Sequence, residues 1–331
     1  MKKILNTADT FVDESLQGIV LAHGDQLMFA DNDRAVVRAD AKTKEKVAIV
    51  TGGGYGHLPV FLGYVGKGLC DGVAVGNVFT SPSSDAIVSA AKATENGKGV
   101  LFLFGNYMGD TMNFEMASEL LDFDGIPSKI VKASDDIASS PRNEWTERRG
   151  VGGIFFPYKI AGACAEKGGT LEEVAEVAQK VCEKVATLGF AMTSCQLPGT
   201  EKPIFEIGDN DLELGMGIHG EPGIVRTTMM SSDELATTIC ERLNEDLKLQ
   251  EKDEVAVLIN GLGGTSREEL YILFKDVYQQ LQKKGINVFK AYVGEYATSL
   301  EMQGASVSLF KLDEQMKELL LIPATSPFIK E

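Results

Sequence analysis

The sequence predicts an α/β protein of two domains, each of them an open sheet flanked by helices, and three observations lead to this fold class. The 331 residues are too many for one small core and sufficient for two. Several continuous apolar runs end in glycine, which is typical of strands buried on both faces of a parallel sheet. Helical stretches separate these runs, and such alternation is the pattern of an α/β sheet.

The N-terminal half carries the clearest alternation. An amphipathic segment lies within residues 1–46, and apolar strand-like runs then follow at intervals. The predicted strands are 47–51, 72–76, 99–105 and 129–133, and the predicted helices between them are 84–94 and 111–121.

The C-terminal half begins after one strongly predicted helix, residues 168–187. Thr170 is placed to cap it, with Glu173 three residues on as in a capping box. A second α/β unit follows, which we expect to contain strands at 255–259, 286–293 and 305–312 and a helix at 265–283. We place the domain boundary near residue 185, which divides the chain into 1–185 and 186–331.

Composition excludes several classes of function. A net charge of −16 argues against direct binding of nucleic acid or anionic membrane, but it leaves room for a basic protein partner. The sequence has no run of about 18 apolar residues, and its first residues lack a signal-peptide core. Five cysteines without a C-x-x-C pair predict reduced thiols in a cytoplasmic protein and argue against a zinc site. They are Cys70, Cys164, Cys182, Cys195 and Cys240.

Three glycine-rich segments could hold a ligand, because ligands of open α/β sheets bind beyond the carboxyl ends of the strands. The first runs from Gly52 to Pro59 and includes His57. It matches neither a Walker A loop nor a dinucleotide fingerprint. A site for a polar small molecule and a simple tight turn both remain open here.

The second segment, Gly105–Asp110, also follows a buried strand. Asp110 could simply be the N-cap of the next helix. Alternatively, its carboxylate could accept a proton from a substrate hydroxyl.

The third segment runs from Gly215 to Gly223 and surrounds His219 with glycines. A histidine in such surroundings does not serve to pack a core. His57 and His219 both lie in glycine-dense segments, which favours a shared site, whereas His23 lacks this setting and we interpret it as structural. Glu221 could orient His219 or could be solvated.

The sequences GGGYGH, GNYMGD and GIHGEPG, in this order and spacing, resemble the ketose-binding K subunit of dihydroxyacetone kinases. The resemblance extends over nearly the whole chain. It includes the segments at Phe79–Pro82, Asn113–Glu115, Arg148–Val151 and Tyr296–Leu300.

This resemblance implies a covalent mode of binding and a set of site residues. The imidazole of His219 adds to the ketone carbon of dihydroxyacetone and forms a hemiaminal, while His57 and Asp110 bond the ligand hydroxyls and assist phosphoryl transfer. A covalent link distinguishes a carbonyl compound from the isosteric polyol glycerol. The implied binding residues are Gly54, Tyr55, Gly56, His57, Gly105, Asp110 and His219, with no metal site.

The resemblance also implies partners. We expect a homodimer of two-domain subunits without a cofactor of its own. The phosphate donor is expected to be a nucleotide (ADP/ATP with Mg²⁺) held by a separate L subunit, which agrees with the lack of a phosphate loop in this sequence. In systems that use the phosphotransferase chain, a third subunit rephosphorylates the bound ADP.

Three positions depart from the family pattern. Tyr55 replaces a serine, Leu58 replaces a glutamate, and Gly105 stands where the family has a lysine. A lost positive donor could weaken phosphoryl transfer, or the space left could admit a four-carbon ketose such as erythrulose. A sensor also remains possible, in which a ketose-loaded paralogue acts as coactivator of a transcription regulator.

Overall fold

The structure, a computed structural model, describes residues 2–331. Its helices are α1 Phe11–Ala22, α2 Ser84–Thr94, α3 Met108–Phe123, α4 Phe155–Glu166, α5 Leu171–Lys184, α6 Ser232–Leu247, α7 Arg267–Lys283 and α8 Glu314–Leu320. Its strands are β1 Leu27–Phe29, β2 Ala35–Arg38, β3 Ala48–Tyr55, β4 Gly72–Val78, β5 Val100–Gly105, β6 Ser128–Ala133, β7 Val185–Ala191, β8 Asp211–Leu214, β9 Val225–Thr228, β10 Glu254–Gly261, β11 Asn287–Gly294 and β12 Gly304–Lys311.

The chain forms two compact units, and each unit is made of segments that are separated in the sequence. The first consists of residues 2–133, 157–180 and 318–331, and the second of residues 134–156 and 181–317. The predicted boundary near 185 lies close to the crossing at 180/181. The contiguous division needs correction in two segments, because 134–156 joins the second unit and 318–331 returns to the first.

The first unit contains a six-stranded sheet in the order β1-β2-β4-β3-β5-β6. Strands β3, β4, β5 and β6 are parallel, and β1 and β2 form an antiparallel edge. On one face the core packs against α2 and α3, where the rings of Phe104 and Phe114 stack with centroids 4.0 Å apart. Every residue of β3 and β5 is buried, so that in these two strands the continuous apolar sequence is matched by burial on both faces, as the pattern predicts.

The second unit also has a six-stranded sheet, in the order β11-β10-β12-β7-β8-β9. Only β10 and β11 pair in parallel, while the other neighbours in this sheet are antiparallel. Its core joins alternate residues of the central strands to the apolar faces of α6 and α7, among them Leu188, Val257, Ile239 and Leu273. The predicted fold class, two open sheets flanked by helices, is confirmed.

Several element boundaries differ from the predictions, and two of these differences change the interpretation of a segment. Strand β3 continues through Tyr55, so that Gly52–Gly54 belong to the strand rather than to a loop. The helix predicted at 168–187 ends at Lys184, because Val185 begins a buried strand. Its predicted capping box is confirmed: the backbone N–H of Glu173 donates to Thr170 Oγ1 at 3.2 Å, and Thr170 N–H donates to Glu173 Oε2 at 2.8 Å. Of the helices within residues 2–331, none is both long and apolar enough to cross a membrane.

Candidate functional site

His57 lies directly after β3 in the first unit and is 1% exposed. Its ring stacks on Phe79, with centroids 4.7 Å apart and planes 15° from parallel. Phe61 meets the ring edge-on at 6.3 Å. Two aromatic side chains therefore fix the plane of the imidazole.

Both aromatic neighbours of His57 have an unusual backbone. Phe61 and Phe79 have φ values of 67° and 58°, which bulky residues rarely adopt and which cost about 1–3 kcal/mol each. Such strain concentrates at functional sites. Here it occurs in the two residues that contact His57.

The glycines of β3 make room for these residues. A Cβ atom at Gly53 would lie 2.2 Å from the ring of Phe61, and one at Gly54 would lie 2.8 Å from the Cα of Phe79. The glycines therefore allow close packing behind His57.

Tyr55 points toward α1. Its hydroxyl forms a short hydrogen bond with Ser15 Oγ, and Phe11 contacts its ring edge-on at 6.0 Å. Burial raises the pKa of the Tyr55 phenol, although the bond to Ser15 lowers it. Since its hydroxyl is used within the protein, the Tyr55 contact predicted for a ligand would come from the backbone.

Asp110 lies in the first turn of α3 and is 7% exposed. The N-cap of this helix is Tyr107, so the interpretation of Asp110 as the N-cap is wrong. The chain that follows β4 packs against the next turn of this helix, since Asn113 Nδ2 donates to the carbonyl of Pro82 at 2.7 Å. The segment 79–82 therefore links the ring that stacks on His57 to the helix that carries Asp110.

His57 and Asp110 follow neighbouring parallel strands of one sheet. β3 pairs with β5 in parallel, so that both residues come after the carboxyl ends of adjacent strands. Gly54 and Gly56 lie beside His57 in the sequence, and Gly105 ends β5. The structure thus brings the predicted residues of the first unit to one edge of the sheet, where ligands of α/β proteins bind.

His219 belongs to the second unit, in the turn between β8 and β9, with a side chain that is 22% exposed. Its Nδ1 lies 2.9 Å from Glu221 Oε1, and its backbone N–H donates to Glu221 Oε2, also at 2.9 Å. Of the two roles left open for Glu221, the structure supports orientation of His219. A Cβ atom at Gly217 would lie 2.1 Å from Glu221 Oε2, so a glycine is needed there for the carboxylate to fit.

The Glu221 carboxylate is an acceptor at neutral pH. Burial raises the pKa of Glu221. The hydrogen bond and charge of His219 lower it by more, as does the charge of Arg149, and the resulting pKa is about 2. An ionised carboxylate can only accept, so Nδ1 of His219 donates the proton of this bond. In the neutral imidazole the lone pair then resides on Nε2.

Arg149 connects Glu221 to a buried carboxylate. Arg149 Nη1 lies 3.8 Å from Glu221 Oε2, and its Nε and Nη2 atoms donate to Asp136 Oδ2 at 2.9 and 2.7 Å. Burial raises the pKa of Asp136 to about 6, although Arg149 lowers it. His219, Glu221, Arg149 and Asp136 therefore form one continuous row of polar side chains within the second unit.

The sequence analysis did not identify the aromatic side chains that pack against His57, or the charged side chains that connect to Glu221. Phe61 has no sequence signal, because its contact with His57 depends on a rare backbone conformation. Phe79, Asp136 and Arg149 are far from the histidines in sequence, and only Phe79 and Arg149 lie within segments of family resemblance. Within residues 2–331, no three His, Cys, Asp or Glu side chains are grouped to hold a metal ion.

The comparisons with known proteins agree on one family. The family model described as Dak1 domain matches residues 17–328. The dihydroxyacetone-binding subunit DhaK of the PTS-dependent dihydroxyacetone kinase 1 of Listeria innocua is 44% identical, and the match covers 98% of each chain. L-erythrulose kinase of Pectobacterium atrosepticum is 40% identical over 100% of this chain but only 56% of its own length.

A solved structure of the dihydroxyacetone kinase operon co-activator Dha-DhaQ has a TM-score of 0.86 and 30% identity. That match covers 94% of this chain and 96% of the other. Since the family model spans most of the sequence and a relative above 40% identity matches end to end, this chain belongs to the Dak1 family, which includes the ketose-binding subunits of dihydroxyacetone kinases.

Proposed function

We propose that this protein binds dihydroxyacetone, or a similar short ketose such as erythrulose, as a hemiaminal on His219. In this proposal it is the ketose-binding subunit of a dihydroxyacetone kinase. One observation carries the proposal: Nδ1 of His219 donates to an ionised carboxylate at 2.9 Å, which leaves the lone pair of the neutral ring on Nε2.

The Nε2 lone pair can add to the ketone carbon. The new C–N bond forms as the carbonyl π bond breaks, and the carbonyl oxygen gains a proton and becomes a hydroxyl. The ring carries a positive charge during the addition, and Glu221 stabilises this charge from the other nitrogen. The Nδ1 proton then passes through Glu221 to solvent, which restores a neutral ring and balances the proton that the oxygen takes from solvent.

The roles of His57 and Asp110 follow from the family resemblance. Asp110 would accept the proton of the hydroxyl that receives the phosphoryl group, and His57 would hold a ligand hydroxyl. Both are nearly buried, which strengthens polar contacts. The further contacts proposed are those of Gly54, Tyr55, Gly56 and Gly105.

The partners complete the proposal. The protein would have no cofactor of its own, and a separate L subunit would hold the nucleotide with Mg²⁺. ATP would give its terminal phosphoryl group to the ketose hydroxyl, and ADP would stay on the L subunit. We also propose a homodimer in the cytoplasm. None of the five cysteines forms a disulfide, which fits a reducing compartment.

A second candidate function is a ketose sensor that acts as coactivator of a transcription regulator. The structural likeness to the co-activator Dha-DhaQ favours it, as do the departures at Tyr55, Leu58 and Gly105. The retained His57 and Asp110 favour the kinase subunit, since a sensor needs no group for phosphoryl transfer.

A phosphorylation assay separates the two candidates. The protein is mixed with L subunit and its phosphate donor, and dihydroxyacetone and erythrulose are tested side by side. Turnover of either ketose supports the kinase and names the substrate, whereas ligand capture without turnover supports the sensor.

Two variants assign the roles within this assay. His219→Ala should abolish the gain of ligand mass in intact-protein mass spectrometry, because it removes the nucleophile. Asp110→Asn should retain that adduct and lose most turnover. An adduct on His219→Ala, or equal loss of adduct and turnover in Asp110→Asn, would contradict the corresponding role.

A further inference from the structure

Helix α3 carries an apolar stripe on its solvent side, which we call the α3 stripe. Its members are spaced three or four residues apart and run the length of the helix: Met108 (82% exposed), Met112 (62%), Met116 (53%), Leu120 (39%) and Phe123 (88%). At 1.5 Å per residue the stripe is about 22 Å long. The opposite face is already used, because Phe114, Ala117 and Leu121 are fully buried in the core.

An exposed stripe of this length calls for a partner. Single exposed apolar side chains are ordinary, but a contiguous row of large ones marks an interaction surface. Three of the five members are methionines, whose flexible side chains adapt to the shape of a partner surface. The stripe therefore fits the docking of another protein.

The charges beside the stripe indicate which charge the partner surface should carry. Glu115, Glu119 and Asp122 are exposed and follow one another at i, i+4 and i+7, so that they line one edge of the stripe. Helix α3 contains no lysine or arginine. A complementary surface is an apolar groove bordered on one side by basic residues.

A second copy of this chain fits the stripe poorly. A two-fold pair of antiparallel helices brings the same edge of each helix together. The acidic row of one copy would then face the acidic row of the other, and both chains carry a net charge of −16. Like charges in such a contact oppose association.

The stripe begins at the candidate site. Met108 and Met112 stand two residues before and two residues after Asp110 in the first turns of α3. In the proposed kinase, the donor phosphoryl group must come into bonding distance of a hydroxyl that Asp110 activates. The protein that carries the donor must therefore cover the surface next to this turn.

We infer that the α3 stripe is the docking surface for the donor-carrying L subunit, which would present an apolar groove with a basic border. This inference rests on the proposed kinase function. It adds the place of docking and the chemistry of the partner surface.

The test compares binding and turnover in one set of variants. Met112→Lys/Met116→Lys places two charges in the stripe without touching the buried face, and Leu21→Lys is the matched control at an 85% exposed leucine of α1. Binding of L subunit loaded with ADP and Mg²⁺ is measured by calorimetry, together with turnover and ketose mass gain. We expect the double variant to bind L subunit at least about tenfold more weakly, to lose turnover in proportion and to keep the ketose adduct. The control should match wild type.

The possible outcomes separate the inference from the proposed function. If wild type and the double variant phosphorylate the ketose at the same rate, the proposed docking surface is wrong and the kinase function stands. If wild type neither binds L subunit nor phosphorylates a ketose, both are wrong. If the double variant converts a dimer into a monomer in sedimentation, the stripe is a contact between copies, and the inference is overturned.

The charges are tested separately. Glu115→Lys/Glu119→Lys should slow association with L subunit, and the binding of wild type should weaken as salt is raised, because charged rows steer encounter. Association that is unchanged by both the reversal and salt would contradict a basic border.

Discussion

At the scale of single residues, the proposed hemiaminal chemistry depends on which nitrogen of His219 carries a proton. Glu221 decides this from two residues away, since its two oxygens accept from the ring and from the backbone N–H of His219. Each bond alone is modest. Together they hold the ring in one orientation and one tautomer before a ketose arrives.

The role of Glu221 can be tested with two substitutions. Glu221→Ala should weaken ketose capture at least about tenfold, because the ring loses its acceptor. Glu221→Gln should retain more capture, since its side-chain oxygen can still accept from Nδ1. Adduct formed at several ketose concentrations is measured by mass spectrometry, and ¹⁵N NMR reports the tautomer of His219.

A structural role would give a different pattern. If Glu221→Ala captured ketose as wild type does, or if its Nδ1 remained protonated in the NMR spectrum, Glu221 would not position His219. Equal losses in the alanine and glutamine variants would show that the charge, rather than the acceptor, is needed.

At the scale of elements, strand β3 shows how a glycine run can shape a site through close packing. All eight residues of β3 are buried. The glycines leave room for Phe61 and Phe79, and these two residues hold the imidazole of His57.

Gly53→Ala tests this packing. The added methyl would lie 2.2 Å from the Phe61 ring, so that we expect a loss of about 1–3 kcal/mol in the free energy of unfolding and reduced phosphorylation turnover. Gly18→Ala in α1 is the control, because nothing lies within 4 Å of its added methyl and alanine favours a helix by up to about 1 kcal/mol. Urea unfolding of both variants checks the prediction, and a Gly53→Ala protein as stable as wild type would contradict it.

At the scale of the whole molecule, the buried charges make stability depend on pH. Burial raises the pKa of Asp136 to about 6, from an ordinary value of 3.8. The folded state therefore binds a proton at Asp136 more readily than the unfolded state. The stabilising contribution of this proton is full below pH 3.8 and is lost as pH rises through 6.

Asp136→Asn removes this titration. Between pH 5 and pH 7.5, we expect the free energy of unfolding of wild type to fall relative to that of the variant by about 1 kcal/mol. Urea unfolding followed by circular dichroism at both pH values measures this difference. Parallel pH dependence in the two proteins would show that Asp136 does not titrate in this range.

The sequence by itself determined the fold class, most strands and the three candidate segments. Apolar runs, helix caps and glycines act locally, and their physical effects can be read from a few neighbouring residues, as the capping box of Thr170 and Glu173 illustrates. The resemblance of GGGYGH, GNYMGD and GIHGEPG determined the family in the same way, since each motif is contiguous.

Only the tertiary structure decided the features that depend on distant parts of the chain. The return of residues 318–331 to the first unit, the stacking of Phe79 on His57 and the link from Asp136 through Arg149 to Glu221 join positions far apart in sequence. No local pattern encodes these contacts, because they form only when strands from separate segments pair and bring their ends together. The exposure of the α3 stripe also depends on the tertiary structure. The sequence shows which positions of the helix are apolar, but only the burial of the opposite face shows that these five side chains remain in solvent.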